Sequence, residues 1–250
     1  MSLKLELKND RLTPKKIALP SRYYLFSEGE NYLKLLTVGE GIFPNDKICT
    51  ELDMVGSNLI LASESALKVY PSEGNFAVNR TVINLQERSN LEFLSDEVIL
   101  FKNARFLQLF SLRFDAGSTF FYSSILSGGR SDEEYGFEEL AERNRFIYNG
   151  EVEYLERFRI KGESLREYAK RHGAYKRLFA KIYIRVKDNE AFGELLLKEG
   201  VESFERTKSG AILVCIITGE RISQIKDGVN FVWGMYRGAV GKKSFDLGKR

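Results

Sequence analysis

Residues Ser63–Phe101 read S-E-S-A-L-K-V-Y-P-S-E-G-N-F-A-V-N-R-T-V-I-N-L-Q-E-R-S-N-L-E-F-L-S-D-E-V-I-L-F. A strand-like run, Phe76 to Leu85, stands between two turn signals, Glu73-Gly74-Asn75 and Glu87-Arg88-Ser89-Asn90. On either side lie apolar, β-branched runs that carry charge. One holds Glu64 and Lys68, the other Glu92, Asp96 and Glu97. Carboxylates and a lysine among β-branched residues, punctuated at short intervals, belong on a sheet rather than around a helix.

The same period of two recurs on both sides. Leu3, Leu5 and Leu7 alternate with Lys4, Glu6 and Lys8. Tyr23–Phe26 and Tyr32–Thr37 are apolar runs parted by Glu28-Gly29-Glu30, and Gly39–Asp46 is a turn region. Ile48–Met54 and Asn58–Ala62 are strand candidates around Gly56. Further on, Phe106, Phe110, Leu112 and Phe114 share one parity with Gln108. Val152, Tyr154, Phe158 and Ile160 form another such face, and Leu178, Ala180, Ile182, Ile184 and Val186 a third. The pattern is that of a mainly β sandwich, barrel or stacked-sheet fold.

Three segments read as short helices. Asp188 caps one whose apolar stripe is Phe192, Leu195 and Leu196, ending at Gly200. Ile222, Ile225, Val229, Val232, Trp233 and Tyr236 recur at helical spacing up to Gly238. Glu163–Arg171 forms a third, stopped by Gly173. The last residues are basic and contain glycine, so a mobile tail is expected.

The chain has 250 residues, four prolines and no low-complexity run, which reads as one domain over 1–250. A net charge of +3 sets up no nucleic-acid field, and Lys170-Arg171-His172 reads as a solvated loop. The amino-terminal residues lack a signal-peptide core and no stretch is long and apolar enough to span a membrane, so a cytoplasmic protein is expected. Two distant cysteines, Cys49 and Cys215, make no disulfide framework and read as buried small hydrophobes.

Catalytic equipment is sparse. One histidine and two cysteines cannot build a zinc or iron–sulfur site. No nucleophile elbow, Walker loop or dinucleotide fingerprint is present, and Ser127-Gly128-Gly129-Arg130 reads as a turn. The carboxylates admit three readings. Glu64 and Lys68, four apart on one strand face, read as a structural ion pair. A carboxylate couple serving as acid and base in an all-β enzyme is the second. The third is an oxygen-lined path that binds a divalent ion weakly enough to release it.

The central stretch resembles the urease accessory protein UreD family, called UreH in some systems. Ala66, Lys68, Val69, Tyr70 and Ser72 match its A-x-K-V-Y-x-S motif. Leu91, Glu92, Leu94, Glu97, Ile99 and Phe101 match the block that follows, with Ala104-Arg105 after it. Gly41 and Asp46 fit a glycine-rich turn, where Pro44-Asn45 replaces a glycine pair. Gly129-Arg130 and Phe137 fit a G-R-x-x-x-G-E-x-F block in which Glu134 and Tyr135 stand at the family's glycine and glutamate. Trp233 and Tyr236-Arg237 resemble the family's ending, and the likeness runs from about Ile17 to Gly238.

The resemblance implies a β-helix-like stack of sheets with two or three short helices, and no catalysis. It implies a scaffold and chaperone that docks on apo-urease and recruits UreF, and through it the GTPase UreG. It admits a homodimer within that accessory complex. It implies no tightly bound cofactor, with Ni²⁺ as cargo passing through an internal tunnel. On this resemblance Asp46, Glu64, Glu92 and Glu97 are expected as weak transit positions, and Lys68, Tyr70, Arg130 and Glu134 as residues that shape the path. A chain with 18 Phe and 12 Tyr suits a protein that works through surfaces.

Overall fold

The structure, a computed structural model, describes residues 2–27, 29–130, 133–172, 178–201 and 203–248. The expected helix stop at Gly173, part of the Glu28-Gly29-Glu30 turn and the reading of the His172 side chain lie outside what is described. In chain order the strands are β1 (Ser2–Lys8), β2 (Arg11–Ile17), β3 (Ser21–Phe26), β4 (Tyr32–Thr37), β5 (Lys47–Val55), β6 (Asn58–Ser63), β7 (Leu67–Val69) and β8 (Ala77–Gln86). They continue as β9 (Asn90–Leu100), β10 (Arg105–Phe114), β11 (Thr119–Ser127), β12 (Glu139–Tyr148) and β13 (Glu151–Ile160). After helix α1 (Gly162–His172) come β14 (Leu178–Arg185), α2 (Asn189–Lys198), β15 (Phe204–Arg206), β16 (Leu213–Gly219) and α3 (Ile222–Ala239).

Two sheets face each other. The first runs β13-β12-β10-β8-β5-β1-β2, the second β15-β16-β14-β11-β9-β6-β4-β3, with β7 also on β9. From β5 to β12 the chain alternates between them, β6 and the short β7 both lying in the second sheet, and neighbours within each sheet are parallel. Each circuit therefore adds one strand to each face. The result is a mainly β, solenoid-like stack, as the resemblance implied.

Parallel register turns the period of two into ladders of like residues. Leu5, Leu52, Ile83, Leu112 and Phe146 are successive partners across five strands and are all buried. Ala77, Phe106 and Leu140 make a second apolar ladder nearer the other strand ends. Two inward rows between them are mostly polar. One reads Asn79-Gln108-Glu142, the other Thr50-Thr81-Phe110-Asn144-Glu156. The apolar interior is thus two blocks with a polar layer between.

The outer face of the second sheet carries α3, which lays Ile225, Val229, Val232, Trp233 and Tyr236 on Ile182, Ile184 and Phe121. Asp188 caps α2 by accepting from the Ala191 amide at 3.0 Å. Several expectations change. Leu195, placed in the α2 stripe, is 38% exposed, and Phe192 and Leu196 alone of the three are buried. Val152 is 50% exposed, because a register shift between Phe146 and Ile147 puts it out of phase with Tyr154. Cys215 is buried but Cys49 only half-buried.

The carboxy-terminal segment is docked rather than mobile up to residue 248. Lys242 Nζ lies 2.8 Å from Glu92 Oε1, Tyr32 OH donates to the Leu247 carbonyl at 3.0 Å, and the Phe245 ring meets Tyr32 edge-on. Buried partners on β4 and β9 outweigh the local preference of a basic, glycine-containing stretch.

Candidate functional site

The polar rows border a cavity of about 300 Å³ between the sheets, whose lining also includes Leu3, Ile48, Phe93, Val98 and Phe110. Thr50, Thr81 and Gln108 line it from the first sheet, and Ser95, Asp96 and Ser124 from the second. It reaches Lys68, which also borders an open cleft of about 810 Å³ on the outside. Lys68 therefore sits where interior and exterior meet.

The cleft lies between β7, the end of β9, the loop after β11 and the start of α3. Its charged walls are Lys68, Glu97, Arg130, Glu134 and Glu220, with Tyr70 beside them. Local chemistry holds it open. Asp46 accepts from the Phe43 amide at 2.9 Å and fixes the turn that carries Phe43. Phe43 stacks on Tyr70 with ring centres 4.4 Å apart, and Tyr70 meets Phe101 edge-on at 5.1 Å. The Arg130 guanidinium lies 4.0 Å over Phe101. Gly41 is required at the base, since at φ +149° a Cβ there would stand 2.3 Å from the Lys68 carbonyl.

Five of the residues expected from the sequence, Lys68, Tyr70, Glu97, Arg130 and Glu134, line this one cleft. The other three stand elsewhere. Asp46 supports the turn behind Phe43. Glu64 follows β6 in the connection to β7, so it does not share a strand face with Lys68, and its exposed carboxylate pairs with Lys34 at 3.2 Å. The expected Glu64–Lys68 pair is not formed. Glu92 is fully buried on the α3 side of the second sheet. Its Oε2 accepts from Trp233 Nε1 at 2.7 Å and Arg237 Nη1 at 2.6 Å.

Strict alternation along β9 would put the neighbours Asp96 and Glu97 on opposite faces. A bulge in β9 defeats that: β11 advances from Ser123 to Ile125 while β9 advances from Leu94 to Glu97. Both carboxylates consequently reach Lys226 of α3, at 3.6 and 3.2 Å.

The inner rows leave little trace in the sequence. Gln108 carried the available signal, a polar residue at the parity of Phe106 and Phe110. Beyond it lie Glu142 and Glu156, with Lys181 Nζ between them at 3.3 and 2.9 Å. Burial pushes the Glu142 carboxyl above the ordinary range, more than Lys181 and Asn144 pull it down. Burial also raises Glu156, but the Lys181 charge and hydrogen bonds from Lys181, Tyr183 and Asn144 outweigh it and hold Glu156 low.

A family model described as UreD urease accessory protein matches residues 15–247. The chain belongs to the UreD urease accessory protein family. It is 42% identical over 250 residues, all of both chains, to the urease accessory protein UreD of Aliarcobacter butzleri. It is 30% identical over 147 residues to that of Acetivibrio thermocellus, covering 57% of this chain and 55% of the relative. It is 35% identical over 103 residues to that of Bacillus sp. strain TB-90, covering 41% and 38%. Membership in the UreD family carries a role in urease maturation, as an accessory protein and not a catalyst. The alternative of an acid/base enzyme falls with it. Among the described residues, no helix of this UreD-family chain is long and apolar enough to cross a membrane.

Proposed function

We propose that this chain is a chaperone and scaffold of urease maturation that passes Ni²⁺ through its interior. It docks on apo-urease in the cytoplasm, recruits UreF and through it UreG, and is present as two copies within the accessory complex. Nickel is cargo and no cofactor is held tightly. The observation that carries this reading is the cavity, lined in part by hydroxyl and amide side chains, that meets a cleft bearing three carboxylates at Lys68. Oxygen donors hold a borderline divalent ion more weakly than imidazole or thiolate, and weak successive sites favour exit as well as entry. Glu97, Glu134 and Glu220 supply such donors at the mouth, and hydroxyl and amide groups supply them inside. Asp46 and Glu92 serve by positioning, the first through Phe43 and the second through α3, and Glu64 adds charge at the surface.

The test is co-expression with apo-urease, UreF and UreG, followed by urea hydrolysis and the nickel content of purified urease. Glu97→Ala combined with Glu134→Ala should leave the complex assembled but lower nickel loading several-fold. Normal loading by that double variant would sink the passage role. Loss of the assembled complex would instead make the cleft a docking surface.

A further inference from the structure

We infer that Glu142, Asn144 and Glu156 form a divalent-cation station, which the Lys181 ammonium holds closed. The inference takes its role from the passage reading above, though its existence as a site does not depend on it.

Register brings these residues together. The cavity rows do not stop at the cavity wall. On the first sheet Gln108 is followed across the strands by Glu142, and Phe110 by Asn144 and then Glu156. On the second sheet Ser124 is followed by Lys181, and Tyr122 by Tyr183. Gln108 Nε2 donates to Ser124 Oγ at 3.4 Å and so bridges the two sheets at the junction. The cluster is therefore the continuation of the polar layer toward the edge strand β13.

Its hydrogen bonding is unbalanced. Asn144 Nδ2 faces three acceptors, Glu142 Oε1, Glu156 Oε2 and Tyr183 OH, with two hydrogens to give. The buried Asn144 Oδ1 accepts nothing among the described residues. Tyr183 OH is committed to Glu156 Oε2 at 2.8 Å. Two carboxylates share one ammonium, so the cluster is acceptor-rich and draws cations. Stability is weak grounds for keeping the whole cluster, since apolar residues of the same size commonly match or exceed a buried ion cluster.

Lys181 Nζ occupies the point between the carboxylates where a cation would sit. A half-turn of the Asn144 amide would turn Oδ1 toward that point as a third neutral donor. Ring faces lie close to the ammonium on its way out, since Nζ is 4.3 Å from the Phe158 ring centre and 5.8 Å from that of Phe179. No group of three or more His, Cys, Asp or Glu side chains gathers around one point among the described residues. Two carboxylates and an amide make a weak site, suited to exchange rather than storage.

The experiment is a Ni²⁺ titration of the full chain, followed by NMR of the Asn144 side-chain amide and by calorimetry, with thermal melts to confirm folding. Paramagnetic Ni²⁺ should broaden the Asn144 amide signals of the wild type. Lys181→Met should bind Ni²⁺ roughly tenfold or more tightly, because its competing charge is gone. Adding Glu142→Gln to Lys181→Met should abolish the gain. The station is refuted if Ni²⁺ leaves the wild-type Asn144 signals unchanged, a readout that needs no variant to fold. It is also refuted if the double variant binds as tightly as Lys181→Met. Urease activation separates the two readings. A station that binds Ni²⁺ while Lys181→Met loads urease normally overturns the passage role and leaves the site standing. Unmoved Asn144 signals with impaired Glu97 variants overturn the station alone.

Discussion

Glu92 and Glu64 show how far environment outweighs residue type. The family resemblance makes both transit carboxylates, on neighbouring strand-like runs. Glu92 has no exposed surface and holds Trp233, Arg237 and Lys242 at once. Glu64 is exposed and meets Lys34 alone among the described ion pairs. Removing one partner of a buried ionic cluster strands the others, so Glu92→Ala should cost roughly 3–5 kcal/mol in urea unfolding. Trp233 is the one tryptophan, and its emission should shift to the red as its indole loses its acceptor. Glu64→Ala should cost less than about 1 kcal/mol, as exposed pairs do. Equal losses would show that the Glu92 cluster is not what anchors α3. Alternation in the sequence tells which face a side chain takes, but not whether a helix covers that face.

At the scale of elements, the meeting of β12, β13 and β14 has a pH signature. Glu142 is raised, so its contribution to stability is full below the unfolded carboxylate value of 4.5 and is lost as pH rises through its higher folded value. Glu156 is lowered, so its contribution is present above 4.5 and is lost as pH falls through its lower folded value. Glu142→Gln should therefore be more stable than wild type at neutral pH, the difference closing toward pH 4.5. Glu156→Gln should be less stable at neutral pH, the difference closing in acid. Unfolding midpoints across pH decide the matter, and parallel curves for both variants would contradict the assignment. The strands and helices themselves were legible, because period two, Asp188 as a cap and the stripe from Ile222 to Tyr236 are local signals. The bulge at Ser95–Asp96 and the phase slip at Val152 were not, since an extra residue in a strand shows only against its partner.

At the scale of the molecule, the solenoid converts one strand's polar residue into a layer. Thr50 and Thr81 are register partners that line the cavity from the first sheet. Thr50→Val with Thr81→Val keeps the shape and removes both hydroxyls. Burying hydroxyls is costly, so stability should hold or rise, by up to about 1 kcal/mol per site. Nickel loading of urease should fall, because the walls lose oxygen donors. A melt that holds together with unchanged loading would remove the cavity from the passage, leaving the cleft as the functional feature. Such a split between stability and function is what a purely structural layer would not show.

By itself the amino-acid sequence determined the mainly β character, the turns, the three helices and the motifs around Lys68, Tyr70 and Glu97 that belong to the UreD family. These rest on backbone preferences and on spacings within single strands. Tertiary structure alone decided that Asn79, Gln108 and Glu142 form one row, that Glu142, Glu156 and Lys181 meet at its end, and that Glu92 turns away to hold α3. The physical reason is that parallel pairing joins strands distant along the chain. Each strand's period sets the parity of its side chains, while the partner, the register and the covering element are set by the packing of the whole.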